Sequence, residues 1–368
     1  MNRTLVEKRE LSATEERELY NNVYVVAPGV WRLKDIFVNM FIIQNRESTA
    51  WVLVDAGLQS SAPKIKAMAN YIFGSAGSTP EAIVMTHGHF DHRGSLLQLA
   101  DEWGVPVYCH HQERPYLTGR ASYPPPDPAV GGGMMALMSF AYPKGPINAE
   151  QHLAELPDDN TIPGLDDWKW IHTPGHTPGH ISLFREKDGV LIAGDAFVTT
   201  MQESAISVMI QKKTVWGPPK YFTPDWGAAA RSVRELAALE PNVMVTGHGQ
   251  AMYGDEARKA LHKLSRDFWQ RGMPAQGRYV KEPALFDPEG VPTYIPSARG
   301  IMLKRLAIAA GLLAIGILVY RERKKGSFFN RKASGFLGKS LIGGSLATLG
   351  ATAPATPALP MLPIIPAL

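Results

Sequence analysis

Three imidazoles and a carboxylate crowd six consecutive residues of this chain, His87-Gly88-His89-Phe90-Asp91-His92, with Thr86 leading into them. The run before them, Ala82-Ile83-Val84-Met85, is short and wholly apolar, the pattern of a buried strand. Ligand-type side chains in a loop at the carboxyl end of a strand are a standard way to build a metal site. Histidines at i and i+2 of an extended segment point to one side. An Asp at i+4 and a His at i+5 turn toward a second centre. A single histidine after a strand is usually structural, whereas H-x-H-x-D-H in that place is a metal-ligand pattern.

The same arrangement recurs along the chain. A hairpin is predicted over 36–44 and 51–54, turning at 45–48, and its second strand ends in Asp55-Ala56-Gly57. Asp55 is expected to support ligands rather than act as one. A strand over 168–172 runs into Thr173-Pro174-Gly175-His176-Thr177-Pro178-Gly179-His180, where the Pro-Gly pairs force turns and set His176 at a tip. Strands over 190–193 and 243–246 end in Gly194-Asp195 and Gly247-His248-Gly249. Short strands are also expected at 23–26, 30–33, 106–109 and 181–184, and helices at 62–73, 94–102, 225–239 and 254–271. His110 and His111 read as a polar strand end. Ligand-type residues spread over five strand ends converge only if those ends lie together. Two sheets sandwiched between helices, with the site along one edge, provide that.

Charge is unevenly spread. Residues 299–368 hold ten Lys/Arg against the single acidic Glu322, while residues 1–298 hold 28 against 33, a net charge of −5. The basic character belongs to the tail, and no basic stripe interleaved with aromatics marks the main domain as a nucleic-acid binder. One cysteine, Cys109, excludes an internal disulfide, which fits a reducing compartment. Residues 1–20 form a polar segment with no apolar signal-type core, and Ser12-Ala13-Thr14-Glu15 has the form of a capping box opening a short polar helix. Residues 112–160 are rich in Pro and Gly and carry Met134, Met135, Met138, Phe140 and Tyr142, the makeup of an insertion that covers a site or packs as a surface loop. Residues 279–297 read as a linker or cover strand.

The chain resembles the metallo-β-lactamase fold superfamily. H-x-H-x-D-H, T-P-G-H-T-P-G-H, G-D-A and G-H-G stand in that family's order over roughly residues 20–270. The resemblance implies an α/β fold, a four-layer αβ/βα sandwich, over residues 21–298. It implies two divalent metal ions, zinc by the ligand set, with manganese or iron as substitutes. The first ion would be held by His87, His89 and His176. The second would be held by Asp91, His92 and His248, with Asp195 bridging both. β-Lactam hydrolases proper generally lack a bridging aspartate here, so Asp195 points away from that activity. Glyoxalase II enzymes follow the aspartate with a Gly-Cys-Gly-Arg type segment, and acyl-homoserine lactonases often place a Tyr three residues on; this chain has Ala196-Phe197-Val198.

The implied chemistry is hydrolysis of an ester, lactone or thioester-type bond in a small-molecule substrate. Two cations sharing a carboxylate hold a water between them and lower its pKa from ~16 toward ~7, and the hydroxide attacks the carbonyl. Asp91 would orient it and take up a proton. A phosphodiester hydrolase on the same metals and a mononuclear-iron, persulfide dioxygenase-like oxidoreductase are the alternatives.

Beyond the catalytic domain, 306–320 is an uninterrupted apolar run followed by Arg321, Arg323, Lys324 and Lys325. With 301–303 included, and Lys304 and Arg305 reaching to the interface, it approaches the length of a ~30 Å bilayer core. The expectation is a basic-flanked apolar helix over 299–325 anchoring a cytoplasmic catalytic domain to a membrane. A Gly/Ala/Pro-rich, disordered tail is expected over 326–368, with Pro354, Pro357, Pro360, Pro363 and Pro366 on one edge of a polyproline helix.

Overall fold

The chain builds two sheets in succession, and a computed structural model describes residues 15–298 except 78. The first sheet has eight strands in chain order: β1 (Arg17–Tyr20), β2 (Val23–Ala27), β3 (Val30–Asp35), β4 (Val38–Gln44), β5 (Trp51–Val54), β6 (Ala82–Val84), β7 (Val107–Cys109) and β8 (Leu153–Glu155). β1 to β5 pair antiparallel, and β5 to β8 pair parallel. The second sheet holds β9 (Thr161–Ile162), β10 (Leu165–His172), β11 (Ile181–Arg185), β12 (Val190–Ile192), β13 (Val243–Val245) and β14 (Met252–Tyr253), with β12 and β13 parallel. A separate hairpin joins β15 (Leu285–Phe286) to β16 (Pro292–Tyr294).

Strand alternation explains the layers. On β4, Met40 and Ile42 face one core while Phe41 and Ile43 face another; on β5, Trp51 and Leu53 divide from Val52 and Val54 in the same way. The first core lies between the first sheet and helices α1 (Ala62–Phe73) and α3 (Leu96–Trp103), through Ile65, Met68, Leu96 and Leu99, while the short α2 (Phe90–Arg93) carries Asp91 and His92. The second lies between the sheets, where Phe41, Val54 and Val84 meet Trp168, Leu183, Ile192 and Val245. Helices α4 (Arg114–Leu117), α5 (Met134–Met138) and α6 (Ala205–Ile210) lie in longer connections. The third core covers the far face of the second sheet with α7 (Trp226–Ala238), α8 (Gly254–Arg266) and α9 (Phe268–Arg271), through Leu191, Met244, Val233, Leu236, Leu261 and Phe268. This is the expected four-layer αβ/βα sandwich. Strands covered on both faces need apolar residues at every position, and each buried Val, Leu or Ile contributes roughly 1.5–3 kcal/mol.

The parallel pairs place the site. In β5/β6 and in β12/β13 the carboxyl ends point the same way, so the residues that follow each pair share an edge. Backbone bonds tie the two sheets together there: Ile181 N donates to Thr86 O at 3.0 Å and Asn39 N to Gly247 O at 2.8 Å. Asn39 Nδ2 adds bonds to the carbonyls of Thr246 and Gly249, each 2.8 Å.

Several boundaries depart from expectation. Residues 17–20 form a strand, not a helix, because the edge of β2 offers Arg17 and Glu18 ladder partners. The strand predicted from 36 begins at Val38, since Ile36 sits in a turn at φ +55°. The helix expected over 94–102 is α3, Leu96–Trp103, with the short α2 standing before it in the ligand loop, and the 254–271 helix breaks at Asp267 (φ −104°, ψ 26°), letting Phe268 drop into the core. The 112–160 stretch contains α4, α5 and the edge strand β8. Residues 285–294 form the β15/β16 hairpin, and Tyr116 Oη donates to Gly290 O behind it. No helix among the described residues is long and apolar enough to cross a membrane. The apolar segment 299–325, the tail 326–368 and the 12–14 part of the capping box lie outside the described residues.

Candidate metal centre

All seven residues singled out by pattern converge and are buried. His87, His89, Asp91 and His92 follow β6, His176 sits in the turn after β10, Asp195 follows β12, and His248 follows β13. Potential donor atoms group as His87/His89/His176, as His87/His92/Asp195 and as Asp91/His92/His248, each group lying within 4.8 Å. The first and third are the two trios expected, and Asp195 stands between them. Asp195 Oδ2 lies 3.2 Å from His248 Nε2, 3.5 Å from His176 Nε2 and 3.7 Å from His92 Nε2. His248 Nε2 is 3.6 Å from Asp91 Oδ2. Donors bound at ~2.1 Å around one tetrahedral ion stand about 3.4 Å apart, so these spacings suit shared cations.

In four of the five rings the outer nitrogen is held, which fixes what faces inward. Thr86 Oγ1 donates to Asp55 Oδ2 (2.8 Å), so it accepts from His87 Nδ1–H (3.0 Å). His92 Nδ1–H donates to Asp55 Oδ2 (2.8 Å) and His248 Nδ1–H to the Phe37 carbonyl (2.7 Å). Thr223 Oγ1 donates to Pro219 O, leaving it to accept from His176 Nδ1–H at 3.3 Å. Four rings therefore turn Nε2 inward, and His89 turns Nδ1 inward, 2.9 Å from His176 Nε2. His87 Nε2, His92 Nε2 and Asp195 Oδ1 are buried with no hydrogen-bond partner. Orphaned buried polar atoms are costly unless something pairs with them, and a cation fits this donor set.

The local backbone is built for close approach. Asp55 adopts φ +61°, and its carboxylate also accepts from Thr86 N at 2.8 Å. Gly247 has no room for a Cβ, which would lie against Asp195 Oδ1 and the His92 ring. Asp195 N donates to His180 Nε2 (2.8 Å), so the second histidine of the repeated T-P-G-H holds the loop while the first faces the cluster.

Electrostatics follow from burial and crowding. Burial pushes the charged forms of His87, His89 and His180 well down, and His176 to about 3. Burial also disfavours the His92 imidazolium, but the Asp55 and Asp195 carboxylates outweigh it and raise that ring to about 10. Burial raises Asp91; in Asp195 burial is outweighed by His248, His92 and His176, which hold the carboxyl low. Cation binding would displace the His92 proton.

Pattern reading missed the groups that support the cluster. Thr86, Thr223, His180, Glu113, Tyr123 and the Phe37 carbonyl all hold ligand-bearing loops. Thr86, beside His87, carried a local signal; Thr223 and Glu113 lie far away in sequence and carried none. His89 is flanked by the rings of Phe222 and Tyr123, each with centroids 4.5 Å away. His110, in contrast, stacks on His172 away from the seven.

Comparison with known proteins identifies the chain's family. The sequence profile of the Metallo-beta-lactamase superfamily matches residues 33–248. A Bacillus subtilis (strain 168) protein called "Probable metallo-hydrolase YflN" is 46% identical over 243 residues, 66% of this chain and 92% of the relative. "Probable metallo-hydrolase YybB" of the same organism is 28% identical over 189 residues, 51% of this chain and 73% of the relative. Among solved structures, BLEG-1 B3 metallo-beta-lactamase is 26% identical, covering 60% of this chain and 90% of that one, with a TM-score of 0.41. On its sequence, the chain belongs to the metallo-beta-lactamase superfamily.

Proposed function

We propose that this protein is a metal-dependent hydrolase whose buried cluster holds two divalent cations and cleaves an ester, lactone or thioester-type bond of a small molecule. The observation that carries the reading is the convergence of three unpartnered buried atoms, His87 Nε2, His92 Nε2 and Asp195 Oδ1, between two ligand trios. In this reading His87, His89 and His176 would hold one cation and Asp91, His92 and His248 the other, with the Asp195 carboxylate available to both trios. Nitrogen and carboxylate donors suit zinc, with manganese or iron able to substitute. Such a pair, when bound, supplies an activated water at neutral pH and charge stabilisation for the oxyanion.

The chain's own residues do the rest. Asp91 is the least buried of the seven, at 6% exposure, so it is placed to orient an incoming water and take its proton. Asp55, Thr86 and Phe37 O hold the rings in the tautomer that leaves a lone pair facing inward. A cysteine nucleophile is excluded: Cys109 is fully buried and its thiol is pushed up to about 12. The names of the Bacillus relatives support hydrolysis.

A screen of ester, lactone, thioester and phosphodiester substrates with added zinc or manganese tests the reading. Turnover is expected on one of the carbonyl classes, falling at least about 100-fold in His87→Ala and Asp195→Ala with unchanged circular dichroism. Near wild-type turnover in either variant, or in chelator-stripped protein, would overturn it.

A further inference from the structure

Two short helices turn their apolar stripes outward. In α5, Met134, Leu137 and Met138 are exposed while Ala136 is buried. In α6, Ile206, Met209 and Ile210 are exposed while Val208 is buried. Each set falls at i, i+3 and i+4, one helix face. In most surface helices that face meets the core. Here Met209 is 75% exposed, and Phe140, just past α5, is 65% exposed. The helices adjoin at their starts: Met135 N donates to Glu203 O at 3.1 Å, and Gly132 and Gly133 pack on Glu203 and Ser204. The seven side chains thus belong to two neighbouring elements that nothing among the described residues covers.

The patch lies behind the metal centre's aromatic wall. The inner side of α5 packs with Tyr221 and Phe222, together with Phe90 and Tyr142, and Phe222 stacks on His89. Residues 131–147 and 204–214 carry three exposed lysines, Lys144, Lys212 and Lys213, and no acidic residue, in a domain otherwise net negative. Lys213 lines one cavity with Glu15 and Glu16, so the uncompensated charge rests on Lys144 and Lys212, which a second copy docked by two-fold symmetry would set against their own counterparts. An anionic lipid surface offers an acyl layer for the apolar side chains and phosphates for the lysines. Methionine adapts well to such a fluid layer.

We propose that α5 and α6 seat on an anionic lipid bilayer, with Met134, Leu137, Met138, Phe140, Ile206, Met209 and Ile210 in the acyl boundary and Lys144, Lys212 and Lys213 at the headgroups. This surface is distinct from the apolar run at 306–320 and goes beyond the hydrolase reading. The test places a bimane label on Met209→Cys in the full chain, where the buried Cys109 is the one native thiol. Vesicles of phosphatidylcholine containing about one-third phosphatidylglycerol should shift its emission to shorter wavelength and let acyl-chain spin labels quench it. Lys212→Glu with Lys213→Glu should weaken that partition about tenfold or more, leaving hydrolysis of a soluble ester unchanged. Sedimentation with vesicles but no shift would assign membrane binding to another segment and overturn the proposal. So would an equal shift on pure phosphatidylcholine, or a shift without vesicles that grows with protein concentration, the mark of a second copy. The label reads insertion independently of turnover, so its failure and that of the hydrolase reading are separable.

Discussion

Glu113 shows how much of the centre depends on residues that carry no motif. It is fully buried and accepts four hydrogen bonds: Gly88 N (2.9 Å), Tyr123 Oη, Thr177 Oγ1 (2.7 Å) and Gly179 N (2.9 Å). It therefore clamps the H-x-H-x-D-H loop to the T-P-G-H-T-P-G-H loop. Burial pushes its carboxyl up to about 7, against the pull of those four donors. Glu113→Gln keeps the shape but turns an amide toward two donors. With each unsatisfied buried group costing about 1–3 kcal/mol, the variant should lose roughly 2–5 kcal/mol of stability by urea unfolding. An unchanged midpoint would contradict the clamp. The seven ligand-type residues were legible because their chemistry is concentrated in short motifs. Glu113 was not, because its partners lie 10 to 66 residues away in sequence and three of the four are at least 25 away. Sequence placed His176 among the ligands but gave His180, in the same motif, no role, because its bond to Asp195 N depends on which way the turn points the ring.

At the level of elements, the apolar runs that precede ligand residues read correctly as strands, because a strand buried on both faces has no other composition available. Edges and ends read less well. Residues 17–20 are polar and resemble a helix start, yet the open edge of β2 recruits them. The connection after β7 carries a testable case. His110 is buried, accepts from Gln112 N at 3.3 Å and stacks on His172 at 4.1 Å. Burial, then the neighbouring His172 and His111, hold its pKa down to about 3. A histidine depressed in the folded state stabilises above its unfolded value and loses that contribution as pH falls toward the folded one. The ring should therefore cost the protein roughly 2 kcal/mol between pH 7 and 5. His110→Asn keeps a capping acceptor and removes the titration, so its unfolding free energy should fall less over that range. An equal fall in both proteins would contradict the assignment.

For the molecule as a whole, the order of motifs announced the sandwich, since five strand ends bring ligands together only when two sheets share an edge. Parallel pairing of β5 with β6 and of β12 with β13 supplies that edge. The 112–160 stretch was legible as unusual but not as what it is: a segment that adds an edge strand and shows an apolar helix face to solvent. Its role depends on α6, some seventy residues later, and no local pattern links the two. The central claim is that seven convergent residues make one dinuclear centre. Elemental analysis of the purified full chain, beside Asp195→Ala, tests it most directly. The account predicts about two divalent ions per chain, with fewer in the variant and hydrolysis lost alongside them. A single iron per wild-type chain accompanied by oxygen uptake, or no bound metal at all, would contradict it.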